Sequence, residues 1–188
     1  YDSDFPLIEF DSEGVCNYCH EYDQMCEEYP AGEEGQKRLE KLAAEIKKAG
    51  RKKPYDVIIG VSGGCDSSYL LHQAIGLGLR PLAVHFDNTW NSTIATQNIR
   101  KMTEALNIDL HTVVADNKEY DDIYRAFIKA GVADIDGPTD IALAAVMYKT
   151  AAKFGIKYSF NGHSFRTEGI SPLGWIYMDG KYVIDVHK

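Results

Sequence analysis

Asp56-Val57-Ile58-Ile59-Gly60-Val61-Ser62-Gly63-Gly64-Cys65-Asp66-Ser67-Ser68 is the stretch from which the fold is read. Its first half is apolar without polar alternation, the pattern of a strand covered on both faces. Two glycines follow, and then a helical stretch from Asp66 to Leu77 that ends at Gly78. The same strand–turn–helix rhythm recurs downstream. Pro81 to Phe86 reads as a second strand. Ser92 can cap a helix whose Ala95, Ile99, Met102 and Leu106 share a face. Leu110 to Ala115 reads as a third strand, and Tyr120, Ile123, Tyr124 and Phe127 mark the next helix. After Gly137-Pro138, Thr139 or Asp140 can cap a helix carrying Ile141, Ala145, Tyr148 and Ala152, and Lys157 to Asn161 reads as a fourth strand. This alternation predicts an α/β fold, a doubly wound, Rossmann-like parallel sheet with helices on both faces. Trp175 to Met178, Asp179-Gly180 and Lys181 to Ile184 read as a C-terminal β-hairpin with a tight turn.

Upstream, residues 1–54 read as an N-terminal appendage, a cysteine knuckle followed by a docking helix, and 55–188 as the α/β body. The helix carries Glu33-Glu34 at its start and Lys47-Lys48 near its end, matching the dipole at both ends. Leu39, Leu42, Ala43 and Ile46 form one apolar stripe, Gly50 is a plausible stop, and Arg51-Lys52-Lys53-Pro54 reads as an exposed connector.

Composition narrows the function. The chain has 188 residues and a net charge of −8, the opposite of the balance that phosphate neutralisation demands of a nucleic-acid binder. No run reaches the roughly 18 apolar residues of a membrane span. The four cysteines fall at 16, 19, 26 and 65, three of them within eleven positions, poor spacing for a disulfide framework. Reduced thiols and a cytoplasmic location are therefore expected.

Between a buried strand and a helix, Ser62 to Ser68 forms an anion cradle. A helix start offers unpaired N–H groups, Gly63 and Gly64 allow close approach of a phosphate, and Ser62, Ser67 and Ser68 add hydroxyls. The Lys-Ser/Thr pair of a Walker-type loop is absent. Asp66 beside a phosphate requires a cation between the two, so a phosphate–Mg²⁺ assembly is expected there.

The Ser-Gly-Gly-x-Asp-Ser-Ser text after a strand resembles the PP-loop of the N-type ATP pyrophosphatases, over roughly residues 55–165. That resemblance implies an adenine nucleotide alpha hydrolase-like fold, ATP and Mg²⁺, and cleavage of ATP between its α and β phosphates, with AMP passed to a carbonyl oxygen. Within that superfamily the chain looks like the N-acetyl sugar amidotransferases of surface-polysaccharide (lipopolysaccharide O-antigen) biosynthesis. The matching text is Ile8-Glu9-Phe10-Asp11, Gly14 to Cys19, the loop, His85 to Ser92, Pro138-Thr139-Asp140 and Gly162 to Gly169. Members of that family continue well past Lys188, and the chain opens at Tyr1 rather than Met, so further sequence is expected at both ends.

Ligands of open α/β sheets bind outside the carboxyl ends of the strands. This selects the 62–68 loop, Asp87-Asn88 and Gly162-His163. By resemblance Asp87 and Asn88 lie beside ribose and adenine, as a hydroxyl acceptor or metal ligand and as a reader of the base edge. His163 reads as a proton shuttle or a hydrogen-bond donor to phosphate, and, protonated, as a stabiliser of developing negative charge. Arg166 offers a planar fork for phosphate or a sugar-linked carboxylate, and Glu168 a second metal ligand or a base toward ammonia. The catalytic set is thus Asp66, His163 and Glu168. The alternatives are a bland turn for Asp87-Asn88, a structural role for His163 and surface-loop charges for Arg166 and Glu168; Thr139-Asp140 reads as a helix cap first and a substrate contact second. His72, His85, His111 and His187 are given no role. Cys16, Cys19 and Cys26 are candidate ligands of a structural Zn²⁺, with His20 or a more distant group as the fourth; free thiols are the alternative. A redox role is disfavoured because the pair does not open a predicted helix after a strand.

Three functions compete. The first is an amidotransferase synthase subunit that adenylates the acetamido oxygen of a nucleotide-linked N-acetyl sugar. No cysteine has the Gly-x-Cys-x-Gly setting of a glutaminase nucleophile, so the resemblance implies ammonia from separate glutaminase and channel subunits. The second is a tRNA thiolase or other sulfurtransferase, against which the charge counts. The third is a non-catalytic ATP-binding module.

Overall fold

In the computed structural model, which describes the chain apart from residues 1, 2, 6 and 171–177, four parallel strands build the sheet. They are β1 (Val57–Gly60), β2 (Pro81–Asp87), β3 (Leu110–Val114) and β4 (Ser159–Phe160), in the order β3-β2-β1-β4. Val57 to Gly60 lie opposite Pro81 to Val84, and Ile58-Ile59 opposite Ser159-Phe160 on the other side. The strand order therefore reverses between β1 and β4, where the turns leaving the two strands flank one crevice.

The two-residue period of the strands divides the core. Val57, Ile59, Val61 and Ala83 pack with Ala43 and Ile46 of helix α2 (Gly32–Gly50), Leu71 and Ala74 of α3 (Cys65–Gly76) and Ile99 of α4 (Thr93–Leu106). Ile58, Leu82 and Val84 face the other way, onto Ile156 and onto Val146, Met147, Ala151 and Phe154 of α6 (Gly137–Phe154). Both faces are covered, as the unbroken apolar text of β1 requires. The expected doubly wound α/β architecture is the one observed.

The chain separates into two compact units. One comprises Tyr1–Lys41 with His163–Tyr177, the other Leu42–Gly162 with Met178–Lys188. The division falls within α2 rather than at residue 54. The larger unit holds the sheet. In the smaller, α1 (Asn17–Glu28) follows an isolated antiparallel bridge between Phe10 and Cys16. Asp11 turns that bridge by accepting from the Glu13 and Val15 amides, and these bonds, chiefly that from Val15, hold its carboxyl below the usual carboxylate range.

Three local expectations are corrected. The second arm of the C-terminal hairpin, Lys181 to Ile184, is helical. It lies in α8 (Gly180–His187), capped by Asp179, whose carboxylate accepts from the Tyr182 amide. Its Tyr182 packs edge-on against Phe127, and His187 pairs with Asp122, so α5 (Asn117–Ala130) provides the surface that favours helix over strand. Trp175 to Tyr177, the other arm, fall outside the described residues. Helix α6 starts at Gly137 rather than after Thr139 or Asp140. Asp136 stands at its N-cap without a side-chain cap bond, its carboxylate accepting instead from the Tyr124 hydroxyl. Finally, Cys16 is the N-cap of α1, so the Cys16–Cys19 pair does open a helix, though one preceded by an isolated bridge rather than by a strand among the described residues.

The end of α2 is tied to the sheet by charge. The Asp56 side chain is 3% exposed and accepts from Nε, Nη2 and the backbone N–H of Arg80. Arg80 also donates to the carbonyls of Gly50 and Lys53. Gly50 is required here, since a Cβ would lie 2.1 Å from the Asp56 carboxylate. Arg80→Ala leaves this carboxylate buried without its fork. Because Arg80 itself is half exposed, the expected loss is about 2–3 kcal/mol, seen as a fall of about 5–10 °C in thermal unfolding midpoint.

Candidate functional site

Helix α3 begins where β1 ends, and its N-cap is Gly64, which offers no side chain to the first-turn amides. These N–H groups therefore point outward without a side-chain cap, the condition for anion binding. The hydroxyls around them are held loosely. Ser62 Oγ and Ser67 Oγ stand 3.5 Å apart, and their remaining bonds, to Gly64 and to the Ser62 amide, are 3.4 Å long. Bonds of that length yield readily to a stronger acceptor such as a phosphate oxygen. Ser68 differs. Its hydroxyl donates to the Gly64 carbonyl at 2.6 Å, which makes it a brace of the turn.

The shape of the loop depends on α4. Gly63 has φ +81°, and a Cβ there would sit 2.3 Å from the Ala95 carbonyl oxygen. Asn98 donates to the Gly63 carbonyl at 3.1 Å. The first turns of α4, whose N-cap Ser92 accepts from the Ala95 amide as expected, thus press on the back of the loop. An open cavity of about 480 Å³ lies there, lined by Gly63, Gly64, Cys65, Ser68, Asn98, Lys101 and Met102. On the crevice side Gly162 closes against the start of α3, its Cβ position 3.6 Å from Asp66 Cβ and 3.8 Å from the Ser67 amide.

At the end of β2, Asp87 Oδ1 accepts from the Thr89 amide and from Asn91 Nδ2, both at 2.8 Å. Asn88 Oδ1 accepts from the Trp90 amide, and its Nδ2 donates to Thr139 Oγ1 at 3.4 Å. Both side chains expected at a nucleoside are thus oriented by the turn itself, which carries Thr89 at φ +69°. That conformation is costly for a β-branched residue and needs surrounding bonds to hold it.

Thr139 has a role other than the capping expected of it. Its hydroxyl meets Asn88, Tyr120 and Tyr124, and Tyr124 also donates to Asp136. Burial raises the pKa of both phenols, and for Tyr124 donation to the Asp136 carboxylate raises it further, so they stay protonated donors. The Trp90 ring packs tilted against Tyr124, with centroids 4.3 Å apart, and its Nε1 donates to Asp121.

His163, Arg166 and Glu168 belong to the smaller compact unit, not to the unit of the loop. There His163 Nδ1 pairs with Glu168 Oε2 at 3.3 Å, both side chains exposed. Arg166 donates to the carbonyls of Cys26 and Tyr29 and stacks on Phe165, so its fork braces α7 (Phe165–Glu168) against the end of α1.

The residues at the loop fit Mg²⁺. Among the described residues Asp66 is in no ion pair, and with the Ser62 and Ser67 hydroxyls it offers the hard oxygens that this ion takes alongside substrate phosphates. The zinc set does not fit. Cys16 and Cys19 meet at 3.3 Å, a shared contact that lowers the Cys16 pKa and raises that of Cys19. Cys26 lies seven residues beyond Cys19 on the same helix, about 10 Å along its axis. His20 is paired with Asp11 at 2.7 Å. Among the described residues no three His, Cys, Asp or Glu side chains converge as a metal site.

No protein-family profile matches this chain, and no curated protein sequence does. Solved structures do. A glutamine-dependent NAD+ synthetase from Acinetobacter baumannii, in complex with adenosine diphosphate, aligns with a TM-score of 0.56 at 15% identity, over 95% of this chain and 36% of that one. The NMN synthetase of Francisella tularensis (22% identity) and the NH3-dependent NAD synthetase of Campylobacter jejuni (18%) each align over 64% of this chain, with TM-scores of 0.45. The chain spans about half the length of those two, at 51% and 53%. The likeness to the first establishes a shared α/β fold.

Sequence reasoning missed His85, Asn91, Asn98, Tyr120 and Tyr124 at this site: His85, Asn98, Tyr120 and Tyr124 act through residues distant in the chain, and Asn91 through a turn whose geometry the sequence did not give. Gly63→Ala and Gly64→Ala separate the two glycines. Alanine at 63 collides with α4 and is expected to cost about 2–3 kcal/mol, whereas at 64, with nothing nearer than 3.4 Å, the change stays within about 1 kcal/mol by denaturant unfolding.

Proposed function

We propose that the larger unit binds Mg·ATP, with its terminal phosphates on the α3 N-terminus, and that the protein is an ATP pyrophosphatase-type enzyme. The observation that carries this reading is the uncapped start of α3 behind Gly63 and Gly64, beside the point where the strand order reverses. The loop amides and the hydroxyls of Ser62 and Ser67 hold the phosphates, Asp66 holds Mg²⁺, and Asp87 and Asn88 face the nucleoside. Mg²⁺ supplies charge neutralisation of the departing pyrophosphate.

The reaction class is an ATP-dependent amidation, for which the solved neighbours, all named as synthetases, are consistent company. By the sequence resemblance, the acceptor is the acetamido oxygen of a nucleotide-linked N-acetyl sugar. That oxygen attacks the α-phosphorus, and the bond from it to the bridging oxygen breaks, releasing pyrophosphate. Ammonia then adds to the activated carbon, the carbon–oxygen bond breaks with AMP as leaving group, and a proton is lost to leave an acetamidino group. Separate glutaminase and channel subunits deliver the ammonia. His163 and Glu168, paired with each other, form the proton-handling couple of this reading.

ATP–pyrophosphate exchange with UDP-linked acetamido sugars and ammonium tests it. Exchange is expected to depend on the sugar and on Mg²⁺, and to fall at least a hundredfold in Asp66→Asn with the unfolding midpoint kept, the scale of a lost charge contact at a transferring phosphoryl group. Exchange independent of every sugar, or an unimpaired Asp66→Asn, refutes the assignment.

A further inference from the structure

Between β1 and β2 lies a buried titratable side chain that the proposed chemistry does not use. His85 is 6% exposed and sits on β2 beside the strand that feeds the phosphate loop. Its Nδ1 stands 2.9 Å from the Val61 carbonyl oxygen, and its Nε2 3.4 Å from Asn91 Nδ2. A carbonyl can only accept, so the proton is on Nδ1. In the neutral ring Nε2 is then a bare acceptor. The Asn91 amide has two N–H groups, and the second requirement on it comes from Asp87, whose Oδ1 is 2.8 Å away. One amide nitrogen facing two acceptors fixes the Asn91 orientation without ambiguity, because the reversed amide would set its oxygen against a carboxylate.

The result is a continuous relay from the Val61 carbonyl through His85 and Asn91 to Asp87 Oδ1, which also accepts from the Thr89 amide at φ +69°. Asp87 Oδ2 has no hydrogen-bond partner among the described residues. His85 therefore ties the turn at the end of β2 to the Val61 carbonyl, which precedes the loop.

We infer that His85 is a positioning residue. Locked with its proton on Nδ1, it holds Asn91, and through it the Asp87 carboxylate, so that Oδ2 is aimed at the ribose hydroxyls of the nucleotide. This rests on the reading that Mg·ATP binds at the loop. Its consequence is selective: the relay governs the nucleoside end of the ligand and leaves the phosphate end alone.

Calorimetric titration of the full chain with Mg·ATP and, separately, with Mg·pyrophosphate tests it. In His85→Asn the shorter amide keeps a donor near Val61 and loses the acceptor toward Asn91; Asn91→Ala removes the other side of the same bond. Each is expected to weaken Mg·ATP about five- to twentyfold while changing Mg·pyrophosphate less than about twofold, and the double variant is expected to be no more than about twofold weaker than either single one. Nitrogen-15 spectra of the wild-type imidazole are expected to show Nδ1 protonated and Nε2 bare, with the Nε2 resonance moved by Asn91→Ala. Should both ligands weaken together, or the two substitutions multiply, His85 is only a packing residue and the inference falls. An unchanged Mg·ATP affinity in Asn91→Ala also overturns it while leaving the ATP site intact. Failure of the wild-type chain to bind either ligand overturns the ATP reading and this inference with it.

Discussion

Burial of β1 on both faces is the constraint from which the rest follows. Val57 and Ile59 are taken by the layer of α2, α3 and α4, and Ile58 by that of α6. A strand so enclosed cannot turn back on itself, so the chain leaves at its carboxyl end and returns only through a crossover helix. The start of that helix is forced to the open edge of the sheet, where its amides face solvent. The anion cradle is thus a product of core packing before it is a product of any ligand.

Around that edge, polar groups trade exposure for orientation. Asp87 accepts from the Thr89 amide and from Asn91, Asn88 accepts from the Trp90 amide, and Thr139 gathers Asn88, Tyr120 and Tyr124. Such a network removes rotamer freedom before a ligand arrives, which lowers the entropic cost of binding. The 62–68 loop is the contrast. The hydroxyls of Ser62 and Ser67 are held only by long bonds and can reorient, while the Ser68 brace and the α4 contact keep the backbone still.

Elements whose causes are local were legible in the sequence. Helix α2 has its charges at the matching ends and, of its expected stripe, buries Ala43 and Ile46 while Leu42 is exposed; both strand-to-helix turns of the first crossovers follow from Gly63-Gly64 and from Ser92. Where a residue's partner is remote, the local reading went astray. Thr139 did not cap α6, which starts at Gly137, because its hydroxyl meets Asn88, Tyr120 and Tyr124 instead, and Lys181 to Ile184 became helix because α5 offers Tyr182 a ring to pack on. The cysteine spacing suggested a zinc set, yet helix α1 places Cys26 about two turns from Cys19, beyond the reach of one ion.

From the sequence by itself came the parallel sheet, the glycine turn and the uncapped helix start behind it, since apolar period, turn chemistry and helix starts are all encoded within a few adjacent residues. Only the tertiary structure decided which side chains work with them. His85 reads as an unremarkable strand residue until Val61 and Asn91 are brought to its two nitrogens, and Gly63 as a flexible turn until the backbone of Ala95 is found against it. Contacts of that kind join segments 24 and 32 positions apart, and only the packing of strand on strand and helix on loop creates them.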